Sequence, residues 1–405
     1  MATENNNKNL NVPNLRFPEF SEEWSLEELK DIATLSKGSG ISKDQLSDSG
    51  NPCILYGELY TKYKSEIIRE VVSKTDIDSF NLVQSKANDV IIPCSGEAAI
   101  EIATARCVTM DDILLGGDLN IIRLNDQDGG FFAYQLNGKR KVDIAKVAQG
   151  VSVVHLYGEH LKRVKVAYPS LMEQQKISSF LTLLDERIAT QIKIIEDLKK
   201  LKSAISNKLF ARKDLLEKQI TISEIGTLKN GYAFQSSTYN PAGNHQIITI
   251  ANVSGERYID VDSCNCIMRI PDDIQVHQVL KKDDILISLT GNVGRVSLCI
   301  WGNCLLNQRV GLLQLKQYVN REYVYQALSS KRFEQAMIAC GQGAAQMNIG
   351  KGDVEDYTIP YSCNVLNMEL IASTLKTYDL LISVEVDRLR LFYQQKQYLL
   401  AQMFI

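Results

Sequence analysis

The sequence predicts an α+β protein: two globular domains joined by two long antiparallel coiled-coil helices, with the halves related by an internal pseudo-twofold duplication. Three observations carry this. Segments recur in the same order with a period of about 193 residues, far longer than a solenoid repeat. A heptad pattern follows each copy. The polar breaks in the two heptads fall at equivalent places. The 405 residues fit about two to three domains, and 45% apolar content is enough to build hydrophobic cores.

The first element pair is Leu29–Gly38 (LKDIATLSKG) against Ile222–Gly231 (ISEIGTLKNG), each a short ordered segment ending at glycine. Next, Asn88–Gly96 (NDVIIPCSG) matches Asp283–Gly291 (DDILISLTG): an acidic turn, an apolar strand, then a Ser/Thr-Gly loop. Leu114–Leu124 (LLGGDLNIIRL) matches Leu305–Leu315 (LLNQRVGLLQL) as strand, polar turn and strand. Further on, Tyr134-Gln135 matches Tyr325-Gln326, Gln149-Gly150 matches Gln342-Gly343, and Pro169 matches Pro360. The boundaries that follow are a flexible N-terminal tail at 1–16, a first domain at 17–169, a central helix at 170–213, a second domain at 214–360 and a C-terminal helix at 361–405.

After Pro360 one heptad series is Ile371, Tyr378, Glu385, Phe392 and Leu399, and the other is Leu375, Ile382, Leu389, Lys396 and Met403. The first half answers with Ile177, Leu184, Gln191, Leu198 and Ile205, and with Leu181, Ile188, Ile195, Lys202 and Leu209. Both runs exceed the ~10–14 residues of an ordinary globular helix, and each would span roughly 50 Å. Polar residues in a coiled-coil seam fix register and orientation. A parallel pair would stack Lys202 on Lys396. An antiparallel pair sets Lys202 against Glu385 and Gln191 against Lys396, so these four are the expected register residues.

No apolar run reaches the ~18 residues of a membrane-spanning helix, and Met1–Asn9 lacks a signal-peptide core; a cytoplasmic protein with no membrane association is expected. Nine cysteines without regular spacing argue for buried free thiols rather than a disulfide framework. The four histidines form no ligand pattern, so no metal site is expected. The net charge of −3 opposes simple DNA binding, although basic residues gather between Arg187 and Lys213. No phosphate-binding G-x-x-x-x-G-K-[ST] loop is present. Nor is there an Asn/Asp-Pro-Pro-aromatic run that could hold a flipped adenine, so no catalytic residues are expected.

Particular segments resemble the specificity subunits of type I restriction–modification systems: Pro13–Trp24 (PNLRFPEFSEEW), Trp24–Ile32 leading to Gly38, Tyr168–Ile177 (YPSLMEQQKI) and Leu181–Asp185 (LTLLD). The second helix keeps Asp379 but has Leu366–Glu369 (LNME) where the first has Glu-Gln-Gln. The resemblance covers essentially the whole chain. It implies that each globular domain is a target-recognition domain reading one half of a bipartite, asymmetric site in double-stranded DNA, with the paired helices as a ruler. It further implies two methyltransferase subunits docked on the helices and restriction subunits joining them. S-adenosylmethionine for adenine-N6 methylation, and ATP and Mg2+ for restriction, would be used in those partners, with no cofactor in this chain. A different class of reading is a coiled-coil protein scaffold without DNA recognition, which the acidic charge would suit.

Base edges are read by Arg, Lys, Asn and Gln, with carboxylates accepting from cytosine, and loops at equivalent places in the two copies are the sensible positions. The candidates are Lys37, Ser39 and Gly40 against Asn230 and Tyr232; Ser95 and Glu97 against Thr290, Asn292, Gly294 and Arg295; the Asp118-Leu119-Asn120 loop, through Asn120, against Gln308 and Arg309; and Gln149, Ser152 and His155 against Gln342, Gln346 and Asn348. Asn252, with Tyr56, Glu58 and Tyr60, follows a short strand and ranks below these. The second domain's loops are richer in Arg, Asn and Gln, so the two domains are expected to read different half-sites.

Overall fold

The computed structural model describes residues 11–150, 153–341 and 347–405. They form two compact units that cut across the linear boundaries. The first runs to Ile192 and adds Asp387–Ile405; the second is Lys193–Val386. The central helix is Leu171–Phe210 and the C-terminal helix is Val365–Gln402, so each helix contributes to both units.

In the first unit a five-stranded sheet has the order Ala33–Lys37, Leu119–Leu124, Asp89–Pro93, Arg106–Val108, Ile67–Ile68. Its neighbours are antiparallel except the last pair. The strand Asp89–Pro93 is buried at every residue, as its unbroken apolar run requires. The helix Gly129–Asn137 covers this sheet. Its first turn is capped by the Asp128 carboxylate, which accepts from the Phe131 N–H at 2.7 Å. Phe131 carries the packing onward, with its ring 5.6 Å from Trp24 and 5.1 Å from Phe404. The C-terminal helix therefore helps to close the core that Trp24 begins.

The second unit repeats the plan with strands Gly226–Asn230, Val310–Leu315, Ile285–Ser288 and Val296–Leu298 in the same order. Its covering helix, Arg321–Leu328, is capped by Asn320. The backbone carries the duplication in detail. Among the described residues, the non-glycine residues with positive φ are Asn88 and Asp112 in one unit and Asp283 and Asn303 in the other. These are two equivalent pairs, all Asn or Asp, the residues that tolerate the left-handed region best.

The long helices meet twice through the same chemistry. In the first unit the Lys396 ammonium lies 2.5 Å from Asp185 and also contacts Glu66, while Arg187 sits 5.3 Å over the Phe392 ring. As one helix advances from 185 to 187 the other retreats from 396 to 392, so the two run antiparallel there. In the second unit Lys202 meets Asp379 at 2.5 Å. Of the four expected register residues Gln191, Glu385 and Lys396 are buried and Lys202 is half-buried. The expected stagger is corrected: Lys202 meets Asp379 rather than Glu385, and Lys396 meets Asp185 and Glu66. A heptad fixes which face is buried, not how far one helix slides along the other. A buried ammonium selects a carboxylate over the Gln191 amide.

The flexible-tail expectation is also corrected for residues 11–16. The Leu15 N–H donates to the Gln402 carbonyl at 2.9 Å, and Arg16 grips the buried Glu173 with two bonds of 2.7 Å. That pairing raises the Arg16 pKa further. Residues 1–10 lie outside the described residues. Of the cysteines, Cys53, Cys94, Cys107, Cys299 and Cys304 are buried, Cys264 and Cys266 are half-buried, and Cys340 and Cys363 are exposed; all are free thiols.

Candidate nucleic-acid interface

One end of each main sheet gathers the loops that the two copies share. In the second unit the Leu289 N–H donates to the Arg309 carbonyl at 3.0 Å, and the Ile349 N–H to the Leu289 carbonyl at 2.9 Å. In the first unit Cys94 donates to Asp118 and Leu156 to Cys94, both at 2.7 Å. Ser95 pairs with His155 as Thr290 pairs with Asn348. Three loops are thus pinned side by side by main-chain bonds, which leaves their side chains free to differ.

In the second unit this arrangement forms a groove of about 600 Å³ lined by Asn230, Thr290, Gln308, Arg309, Asn348 and Lys351. Five of these are sequence candidates brought together from separate loops. Thr290 donates to the Asn348 side-chain oxygen at 2.8 Å, which leaves the Asn348 amide N–H groups to serve as donors. Gln308, Arg309 and Asn348 are exposed. Lys351, at the start of the helix Lys351–Glu355, escaped sequence reasoning because it lies just past the last recognisable repeat segment.

The first unit's equivalent surface holds Lys37, Ser95, Asp118 and His155. Ser95 lies 3.3 Å from the Asp118 carboxylate. His155 stacks on Tyr157 at 6.1 Å, and the Lys37 ammonium is 6.0 Å from that ring. Tyr157 was also missed; it is exposed and has no aromatic counterpart in the second copy. Beside Asp118, Gly40, Tyr56 and Tyr60 open onto a cleft of about 840 Å³. Burial raises the pKa of the Tyr60 phenol, so it stays a neutral donor.

Several candidates serve the scaffold instead. Asn120 is buried and donates to the Leu156 carbonyl at 2.9 Å. The residue equivalent to Arg309 is therefore Asp118, not Asn120. Asn252 is buried too: it accepts from the Thr249 N–H at 2.8 Å and donates to the Asp260 carbonyl at 2.9 Å. Glu58 makes the same turn in the first unit, accepting from the Leu55 N–H at 3.0 Å. The Ser39 hydroxyl accepts from the Val83 N–H at 2.7 Å. Gly294, at φ +77°, packs against Met337 and Glu334 rather than offering open backbone to a phosphate. Arg295 lies outside the groove, with its Nε 3.7 Å from Glu334. Tyr232 donates its hydroxyl to Asp273 at 2.8 Å. Gln149 is exposed, with its backbone doubly bonded to that of His155; Glu97 in the first unit and Asn292 in the second are exposed too. Ser152, Gln342 and Gln346 lie outside the described residues.

The model of the type I restriction modification DNA specificity domain matches this chain twice, over residues 21–200 and 217–390. The chain belongs to the type I restriction–modification DNA specificity family. Similar members include two from Methanocaldococcus jannaschii. The putative type I restriction enzyme MjaX specificity subunit is 25% identical, with 93% of this chain and 92% of that one covered. The type I restriction enzyme MjaVIII specificity subunit is 23% identical over 92% of this chain and 89% of its own length. The fold is shared with the S subunit from M. genitalium, at TM-score 0.59 and 17% identity, covering 97% of this chain and 99% of that one. A chain solved in work on assembly and conformational transition of the type I R-M system gives TM-score 0.56 at 15% identity, covering 95% and 98%. Each specificity-domain match takes in one of the two loop clusters. Among the described residues no helix is long and apolar enough to cross a membrane.

Proposed function

We propose that this specificity subunit chooses the double-stranded DNA site on which its type I complex acts, each unit reading one half of a bipartite, asymmetric sequence. The observation that carries this is one loop scaffold built twice with different side chains on it. Asn230, Gln308, Arg309, Asn348 and Lys351 stand in one copy, and Lys37, Ser95, Asp118 and His155 in the other. A protein that only tethered partners would gain nothing from that contrast.

The chemistry belongs to other subunits. Two methyltransferase subunits dock on the long helices and transfer a methyl group from S-adenosylmethionine to adenine N6; restriction subunits use ATP and Mg2+. Exposed apolar side chains on the helices support such docking: Leu183 and Leu391 in the first unit, Leu370 and Val384 in the second. Much of the phosphate attraction then comes from the partners, which reconciles the net charge of −3 with DNA binding. The test is to assemble the chain with its methyltransferase and map methylated adenines on a random DNA library. A single split, asymmetric motif is expected. Active methyltransferase with no motif, or a palindromic one, overturns the proposal.

A further inference from the structure

The equivalence of Asp118 and Arg309 goes beyond a general DNA interface. We propose that these two residues read opposite members of a G·C pair: Arg309 a guanine in the second unit's half-site, and Asp118 a cytosine in the first unit's half-site. This rests on the reading of each unit as a half-site reader.

The two residues hold one place in the scaffold. The Arg309 carbonyl accepts from Leu289 and the Asp118 carbonyl from Cys94, and the same next rung follows in each copy. Both side chains are exposed. Among the described residues the Arg309 guanidinium has no ion pair or hydrogen bond; besides that carbonyl, the backbone N–H is engaged, donating to the Asn307 side chain at 3.2 Å. Four other arginines of that unit, though not all of them, are committed: Arg212 to Asp214, Arg257 to Glu322, Arg269 to Asp272 and Arg295 toward Glu334. Arg309 therefore presents its fork of donors, with the Asn348 amide donors on the same groove wall. Guanine O6 and N7 are the acceptor pair that such a fork matches.

Asp118 can do none of this. A carboxylate is repelled by phosphates, so at a DNA-facing surface its productive partner is an amino group on a base edge. Ser95 occupies its Oδ2 at 3.3 Å, which leaves the other oxygen for the cytosine N4 amino group. One position thus carries opposite charge in the two copies, and its two forms suit the two strands' bases of a single pair type.

The test uses the full subunit assembled with its methyltransferase and a DNA library randomised across both half-sites, comparing wild type, Arg309→Ala and Asp118→Ala. Arg309→Ala should erase a guanine preference at one position of one half-site and weaken cognate binding about 5- to 150-fold. Asp118→Ala should erase a cytosine preference in the other half-site only. Both side chains are exposed, so the melting temperature should hold, and Asp118→Asn supplies a second variant that keeps one acceptor oxygen. If Arg309→Ala lowers the log–log salt slope by about one while the motif is unchanged, Arg309 is a phosphate contact and the inference falls. Unchanged motifs in both variants also overturn it. A wild-type complex that selects no motif would instead sink the proposed function, so the two failures are distinguishable.

Discussion

Each unit holds the same lysine–aspartate pair between the long helices but sets beside it a residue of opposite charge. In the first unit Lys396 and Asp185 are joined by Glu66, which contacts Lys396 and lies 3.9 Å from Arg106. In the second, Lys202 and Asp379 are joined by Arg257, which is 3.2 Å from Asp379 and grips Glu322 at 2.8 and 2.6 Å. Glu66 and Arg257 are equivalent in the fold: their carbonyls accept from Cys107 at 2.8 Å and Leu298 at 2.7 Å, at matching places in the two sheets. The inversion is compensated within each unit, where every cluster holds two cations and two carboxylates. The lesson is that duplication preserved positions and local neutrality, not residue identity. Buried charges are tolerated only when paired, so a sign change at one residue forces a partner change beside it.

The largest effect expected from breaking this comparison is in the second unit. Asp379→Ala leaves the buried Arg257 and the half-buried Lys202 without their shared carboxylate, and should cost about 3 kcal/mol by urea denaturation. A loss under about 1 kcal/mol, the range of surface pairs, would show that the cluster is solvated and the comparison superficial.

A pH experiment sharpens the contrast at intermediate size. Burial pushes the Glu66 carboxyl above its ordinary 4.5, against the pull of Lys396. The folded protein then binds a proton at Glu66 at a pH where the unfolded chain has released it. Stability from this group is highest at low pH and declines as pH rises from 4.5 through the folded value. Burial also opposes charge on Glu322, but Arg257 and Gln326 hold that carboxyl below 4.5. Its contribution is present above 4.5 and lost as pH falls through the folded value. Relative to Glu66→Gln, wild type should gain stability as pH falls from neutral toward 4.5. Relative to Glu322→Gln, it should lose stability only below 4.5. Denaturation midpoints across pH check both, and parallel curves would remove the contrast.

The smallest effect lies at the matched left-handed turn. Asn88 uses its side chain there, donating to the Gln127 carbonyl at 2.8 Å and accepting from the Gly129 N–H at 2.5 Å. Among the described residues no comparable bond is seen from the Asp283 side chain, although φ is +65°. Asn88→Gly should therefore destabilise by about 1–3 kcal/mol. Asp283→Gly, which relieves the backbone at little loss, should be neutral or stabilising by up to about 1 kcal/mol. Equal melting shifts for the two would contradict this.

The duplicated fold, the heptads and the grouping of loops were legible because each leaves a pattern of residue types at fixed spacing. Stagger was not. Glu385 and Asp379 are both acids on the same helix, and the choice between them depends on Arg257, which the sequence places far away. Asn120 and Asn252 looked like base readers because asparagine suits both turns and base edges. Only the hydrogen bonds to Leu156 and Asp260 show that the backbone uses them. Asp118 was obscured by a two-residue slip in pairing the loops, which main-chain bonding corrects. Lys351 and Tyr157 carry no repeat signal, since their counterparts, Gly158 and Gly350, have no side chain to align.

The division of the helices between units has a consequence for biogenesis. Lys193–Val386 is one uninterrupted stretch, so a ribosome delivers everything that unit packs before Asp387–Ile405 is made. The other unit must wait: Phe404 wedges against Trp24 and Phe131, so its interior stays open until Asp387–Ile405 emerges. The half whose translation starts earlier is the half that matures later, and loss of Asp387–Ile405 would cripple the first reader while sparing its twin.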